Sequence, residues 1–222
     1  MTALLSSTYF GPVQWYQKLN RYDECLIERH ESFIKQTYRN RMTIATTNGP
    51  LSLTIPTNHD TSMAMKDIRI SDHANWRHVH WNALLSAYGE SPFFEYYQDD
   101  IRPFYEKKYE FLFDFNMETT MKMIELLDIR PHIKVTDEYF PKKSQLSEVR
   151  STKSEEFNGL SGVKDDDIMD FRDAIRPKKP LPDPEFIPDR YYQVYEQKHG
   201  FLPNMSILDL LFNEGNEAIF HL

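Results

Sequence analysis

Apolar residues run unbroken through Ala3-Leu4-Leu5 and stop at Ser6-Ser7-Thr8 and the punctuation of Tyr9-Phe10-Gly11-Pro12, which predicts a strand ending in a loop. Val13 to Leu19 carries Trp15, Tyr16 and Leu19 at helical spacing, and Asp23 to Ile27 reads as a second strand. Residues 28–42 are polar with scattered apolar anchors. Alternation returns in Met42–Ala45 and Leu51–Ile55, two arms of a β-hairpin about the turn signal Asn48-Gly49, closed by Pro56. Met65 to Ile70 alternates again. Ser71 or Asp72 is placed to cap a helix over 73–88, whose buried stripe is Trp76, His80, Leu84 and Tyr88. Beyond Ser91-Pro92 the apolar spacing is three and four up to Leu127, broken at Pro103, so two or three helices are expected, with Asn116 as a cap for the last. Pro131 to Thr136 reads as a strand. Residues 141–190 are charged and proline-rich, as in long loops or an extended arm. Ser206 to Asn213 is a capped amphipathic helix stopped by Gly215.

Strand, helix and strand in this order favour an α/β fold: a small mixed or parallel sheet with flanking helices, a β-hairpin insertion and a helical middle region. The 222 residues suit one domain spanning 1–222. A formal charge of -8 repels nucleic-acid phosphates and anionic lipid, so any anionic ligand needs a local basic patch. The single cysteine, Cys25, excludes an intramolecular disulfide and a Cys-based zinc site. No stretch reaches the length of a membrane span, and the first residues lack the pattern of a signal peptide, so a soluble cytoplasmic protein is expected.

The densest polar segment, Glu28-Arg29-His30 through Lys35, Arg39, Asn40 and Arg41, has two readings. Arginine forks and a mobile lysine suit an anionic ligand, whereas charged runs are more often solvated surface. In Trp76-Arg77-His78-Val79-His80-Trp81 a helix turns the two imidazoles about 200° apart, against a shared metal; His80 fits a packed histidine, and His78 is the freer acid–base candidate. Asn204, Ser206 and Asp209 read as local capping, and Cys25 as packing. No phosphate loop, nucleophile elbow or zinc-binding histidine pair is present, and no cofactor is named by the sequence.

Several pieces in order resemble the WbqC-like family of bacterial proteins over nearly the whole chain. They are Tyr9-Phe10-Gly11-Pro12 with Lys18, Lys35 before Arg39-Asn40-Arg41, Asn48-Gly49 before Leu53-Thr54-Ile55-Pro56, Trp76 with His80, and Phe201 through Gly215. The resemblance implies a cytoplasmic protein associated with O-antigen and other surface-polysaccharide clusters, with a suggested glycyl- or aminoacyl-transfer role. Where the family commonly has Ile-His-Gln-Pro before the tyrosine, this chain has Leu4-Leu5-Ser6-Ser7-Thr8, so chemistry assigned to that histidine does not carry over.

The expectation is therefore a transferase moving an aminoacyl or related acyl group onto a small-molecule substrate, a nucleotide-linked or lipid-linked sugar. Tyr9, Lys35, Arg39, Asn40, Arg41, Asn48 and Trp76 are the binding candidates, and His78 or His80 the general base. The alternative is a non-enzymatic binder presenting Phe93, Phe94, Tyr96 and Tyr97. A third reading is a nucleotidylyltransferase-like enzyme, suggested by the strand-loop-helix opening and Ser151-Thr152-Lys153-Ser154, and needing Mg²⁺. The oligomeric state stays open.

Overall fold

Thr2–Ser6 forms strand β1, in which all five residues are buried, as the central strand of a parallel sheet covered on both faces must be. The computed structural model describes residues 1–58, 62–141 and 167–222. Helix α1 (Val13–Arg21) crosses from β1 to β2 (Glu24–Glu28), which pairs parallel to β1 with Ala3 opposite Cys25 and Leu5 opposite Ile27. Strand β7 (Ile133–Val135) joins β2, and β8 (Ile168–Asp170) joins β1 on its other side, both parallel. In space the strands run β7-β2-β1-β8. The period-two pattern divides the apolar positions: Ala3, Leu5, Cys25 and Ile27 enter the main core, while Leu4, Leu26 and Ile168 pack with Phe140 on the other face.

The expected hairpin is present as β3 (Arg41–Thr46) and β4 (Gly49–Thr54), with Thr47 and Asn48 as its two-residue loop. The mixed α/β architecture expected from the element order is thus present, with an antiparallel hairpin beside the parallel sheet. A further short pair, β5 (Thr57–Asn58) and β6 (Arg69–Ile70), takes only the end of the run read as alternating from Met65. Met65–Asp67 is instead a turn of 3₁₀ helix, which brings Met65 and Ile68, three apart and both fully buried, into the core together.

Helix α2 (Trp76–Tyr88) buries the predicted stripe Trp76, His80, Leu84 and Tyr88. Its start differs from expectation. Neither Ser71 nor Asp72 caps it; a 3₁₀ turn over His73–Asn75 intervenes, Ala74 and Asn75 have φ of 63° and 47°, and no side chain caps α2. Helices α3 (Phe94–Ile101), α4 (Pro103–Glu106) and α5 (Leu112–Leu126) follow. Asn116 lies inside α5 rather than capping it, because its buried amide has partners elsewhere: it donates to the Arg39 carbonyl (2.8 Å) and to Ser7 Oγ (3.3 Å). Of the span 141–190 read as loops or an arm, 142–166 lie outside the described residues; within the rest, β8 is a sheet strand where none was expected.

A short α6 (Glu196–His199) precedes α7 (Ile207–Glu214), capped by Ser206, whose Oγ accepts from the Leu208 amide and donates to the Phe10 carbonyl at 2.7 Å. Gly215, with φ of 57°, ends α7, and a Cβ there would lie 2.6 Å from the Phe93 ring. This last helix locks onto the first loop: Val13 N–H donates to the Met205 carbonyl, Ile207 N–H to the Gly11 carbonyl, and Gln14 N–H to Asn204 Oδ1. Asp209 does more than complement a helix dipole. It is fully buried and accepts from Tyr88 Oη (2.8 Å), Tyr191 Oη (2.7 Å) and Gln193 Nε2 (2.7 Å), joining α2, α7 and the segment before α6. Burial raises its carboxyl above the usual range, against the pull of those donors. Asp209→Ala strands three buried donors and should lower unfolding free energy by about 3 kcal/mol or more. Urea unfolding of the two proteins at one pH measures it; a loss below about 1 kcal/mol would show that the network contributes little.

Candidate functional site

Open parallel sheets bind ligands outside the carboxyl ends of their strands, at the point where strand order reverses. Here that point lies between β1 and β8, and two arginines reach it. Arg39, buried, gives Nε and Nη2 to the Glu31 carboxylate (2.8 and 2.5 Å), Nη2 also to Ser6 Oγ (2.8 Å), and Nη1 to Thr37 Oγ1 (3.2 Å). Arg172, also buried, bonds the Asp170 carboxylate through Nε and Nη2 (2.9 and 2.6 Å) and the Phe140 carbonyl through Nη1. Glu28 lies 3.7 Å from Arg172 and accepts from Thr136 Oγ1 and the His30 and Phe140 amides. What remains between them is a cavity of about 10 Å³, the lower limit for one water. The crevice is closed from within by paired charges.

The polar segment divides between exposed and buried positions. Lys35 is exposed, Arg39 and Asn40 are buried, and half-buried Arg41 donates to Thr54 Oγ1 across the hairpin at 2.9 Å. Asn40 Nδ2 donates to the Ile55 carbonyl at 3.0 Å, and Asn48 is exposed in the hairpin loop. Arg39 turns inward because Glu31 and Ser6 offer geometry that two charges need when they leave water.

Three other predicted residues do meet. Tyr9, fully buried, places Oη 3.0 Å from His80 Nδ1 and 2.8 Å from Tyr105 Oη. Trp76 packs edge-on against His80, its ring centroid 5.2 Å away, and its indole N–H finds no partner among the described residues. Burial holds the His80 imidazole down at about pH 4, against a hydrogen bond with the Thr54 backbone. The ring is thus neutral near pH 7 and positioned through Nδ1 by Tyr9.

Tyr105 forms the wall between this cluster and a surface pocket of about 380 Å³, a volume typical of small-molecule sites. Arg77, His78 and Trp81 of α2 line it with Arg102, Tyr105 and Lys108. His78 is exposed, four residues ahead of Asn82, whose side-chain amide lies 2.9 Å from Nε2. Arg77 Nη1 and Lys108 Nζ share the Asp72 carboxylate (2.5 and 2.9 Å), holding it below the ordinary carboxyl range, and Arg102 Nε meets Glu106 at 2.6 Å. Three permanent cations thus face two carboxylates at one opening. A larger groove of about 750 Å³ along α5, with Phe104, Met117 and Met121, is mainly apolar and holds none of the predicted residues.

Of the predicted set, then, Tyr9, Trp76 and His80 form one cluster with His78 in the pocket beside it; Arg41 bonds Thr54, whose backbone also meets His80, Asn40 bonds the adjoining Ile55, and Lys35, Arg39 and Asn48 do not line that pocket. The pocket's cations Arg102 and Lys108 escaped the sequence reading because they sit between helices assigned to core packing. Their signal was Arg102 before the helix-breaking Pro103 and the charge pair Lys107-Lys108. Cys25 is buried with its thiol pushed up to about 12, an inert core residue. Ser151-Thr152-Lys153-Ser154 lies outside the described residues. Among the described residues no helix is long and apolar enough to cross a membrane.

The model of the WbqC-like protein family matches residues 7–221. The uncharacterised protein Rv1507c of Mycobacterium tuberculosis is 26% identical over 229 residues, covering 97% of this chain and 94% of that protein. No solved structure matches.

Two measurements follow from this geometry. The unfolded chain protonates His80 near pH 6.5 but the folded one only near 4, so this group's contribution is complete above pH 6.5 and is lost as pH falls from 6.5 to 4, about 3 kcal/mol in all. Urea unfolding at pH 7, 5.5 and 4.5 should show a shallower acid loss in His80→Gln than in the parent; parallel curves would refute it. Arg39→Ala leaves Glu31 buried without its partner and should cost about 3–5 kcal/mol, against under 1 kcal/mol for Arg41→Ala. Equal costs in denaturant titration would contradict the distinction.

Proposed function

The chain belongs to the WbqC-like protein family, and from that membership and the pocket beside Tyr9 and His80 we propose that it is a transferase moving an aminoacyl or related acyl group onto a sugar precursor of surface polysaccharide. The observation that carries the reading is an exposed imidazole, His78, in a 380 Å³ pocket walled by Trp81 and Tyr105 and edged by three cations. In this reading His78 is the general base. With Asn82 Nδ2 donating to Nε2 at 2.9 Å, the imidazole lone pair lies on Nε2, and that nitrogen takes the proton from an attacking amine or hydroxyl once the substrate replaces the Asn82 bond. The nucleophile then bonds to the acyl carbon, its carbonyl oxygen becomes an oxyanion beside the cations, and collapse expels the leaving group, which receives the proton from His78. Tyr9, Trp76 and His80 are the layer behind that holds Tyr105 and α2 in place, a support that reacting geometries require.

The cytoplasm and the polysaccharide pathway belong to the same proposal, supported by the family resemblance. The non-enzymatic reading keeps one observation: Tyr96 and part of Phe93 are exposed, while Phe94 and Tyr97, expected beside them, are buried in the core. Turnover decides. Purified protein incubated with aminoacyl donors and amino-sugar acceptors should yield an acylated product by mass spectrometry, and His78→Ala should lower the rate at least 100-fold with unfolding free energy within about 0.5 kcal/mol of the parent. Saturable binding of the acceptor with no product from the parent protein would support the binder instead.

A further inference from the structure

We propose that the pocket at the start of α2 is a phosphate site, so that its ligand is an organic phosphate whose carbon-containing body rests on Trp81 and Tyr105. The proposal deepens the transferase reading, of which it names the carrier, but the binding it describes stands whether or not transfer occurs.

Charge is the first argument. Across a chain of net charge -8, Arg77, Arg102 and Lys108 arrive from α2, the α3–α4 junction and the loop after α4 to line one opening, with His78 beside them. Their carboxylate partners are Asp72 and Glu106, the second of which also lines the pocket; both are half-exposed or more, where ion pairs exchange partners at little cost. The second argument is preorganisation. Arg77 is held 4.7 Å over the Trp76 ring, with Nε and Nη2 turned away from water and Nη1 on the Asp72 carboxylate. A guanidinium fixed in this way keeps its charge at the pocket wall with little side-chain freedom left to lose on binding.

The backbone adds to this. Asn75 enters the 13-residue α2 in the left-handed region, no side chain caps it, and the first turn contains no acidic residue, whereas α7 has both Ser206 and Asp209. Asn75, Arg77 and His78 all line the pocket, so the end of the helix that carries the positive dipole lies beside it. A carboxylate offers one charge and a planar pair of oxygens. A phosphate monoester offers up to two charges and three oxygens in a tetrahedral spread, which suits donors arriving from three elements.

The test uses the full chain with phenyl phosphate, inorganic phosphate and benzoate, followed by calorimetry and by the indole N–H resonance of Trp81. Phenyl phosphate should bind saturably, shift the Trp81 signal and bind at least tenfold more tightly than benzoate. The double substitution Arg102→Ala with Lys108→Ala, at side chains more than half exposed, should weaken it at least tenfold with an unchanged melting temperature. Binding no tighter than benzoate, binding undiminished in the double variant, or no saturable binding would each overturn the phosphate site. Phosphate binding without product from any acyl donor would instead retain the site and remove the transferase reading.

Discussion

One buried ion pair organises this molecule. Glu31 and Arg39 leave water together, and the arginine fork then has donors to spare for Ser6 at the end of β1 and for Thr37. Its own carbonyl is the acceptor that holds Asn116 inside α5, and the neighbouring Tyr38 carbonyl takes the Tyr9 amide. The chain between β2 and the hairpin, with little apolar content, thereby becomes the joint at which sheet, hairpin and helices meet. Hydrophobic burial alone does not orient such a joint, because it is non-directional; a bidentate charge pair fixes angles as well as distance.

That joint also occupies the place where sheets of this order hold ligands. The four parallel strands have the third-second-first-fourth order of nucleotide-binding sheets, whose crevice lies at the carboxyl ends beside the first strand. Here Arg39 and Arg172 fill that place with their own carboxylates. The proposed binding pocket lies instead in the helical layer, where α2 begins without a side-chain cap and Tyr105 stands between Tyr9 and that pocket. The same loop serves both places: Thr8 faces the closed crevice, and Tyr9 supports the open pocket.

Much of this was legible in the sequence where a periodic pattern met a single environment. The strand at Ala3-Leu4-Leu5, the hairpin about Asn48 and the stripe Trp76-His80-Leu84-Tyr88 each follow from one repeat and one buried face. The stripe also identified His80 as packed and His78 as free. What escaped was set by partners distant in sequence. Nothing local marks Arg39 as buried and Lys35 as exposed, since the difference is made by Glu31 and by Ser6, 33 residues away. Asn116 looked like a cap because asparagine usually is one, and only the Arg39 carbonyl explains it inside a helix. Arg102 and Lys108 belong to no periodic face, and their meeting with His78 depends on how α2 packs against α4.

The clasp between the first loop and the last helix bears on how the chain acquires its fold. Gly11 with Ile207, Pro12 with Ser206 and Gln14 with Asn204 are contacts across about 190 positions, and Asp209 adds Tyr88 from 121 positions away. Such pairings pay their loop-closure entropy late and place a protein among the slow folders. Helix α1 rests on its sequence neighbours β1 and β2 and on the distant α7 alike. The local half of that seat can form on its own, whereas the other half is completed only when the clasp closes, so the packing of α1 joins the fastest and the slowest contacts of the fold in one helix.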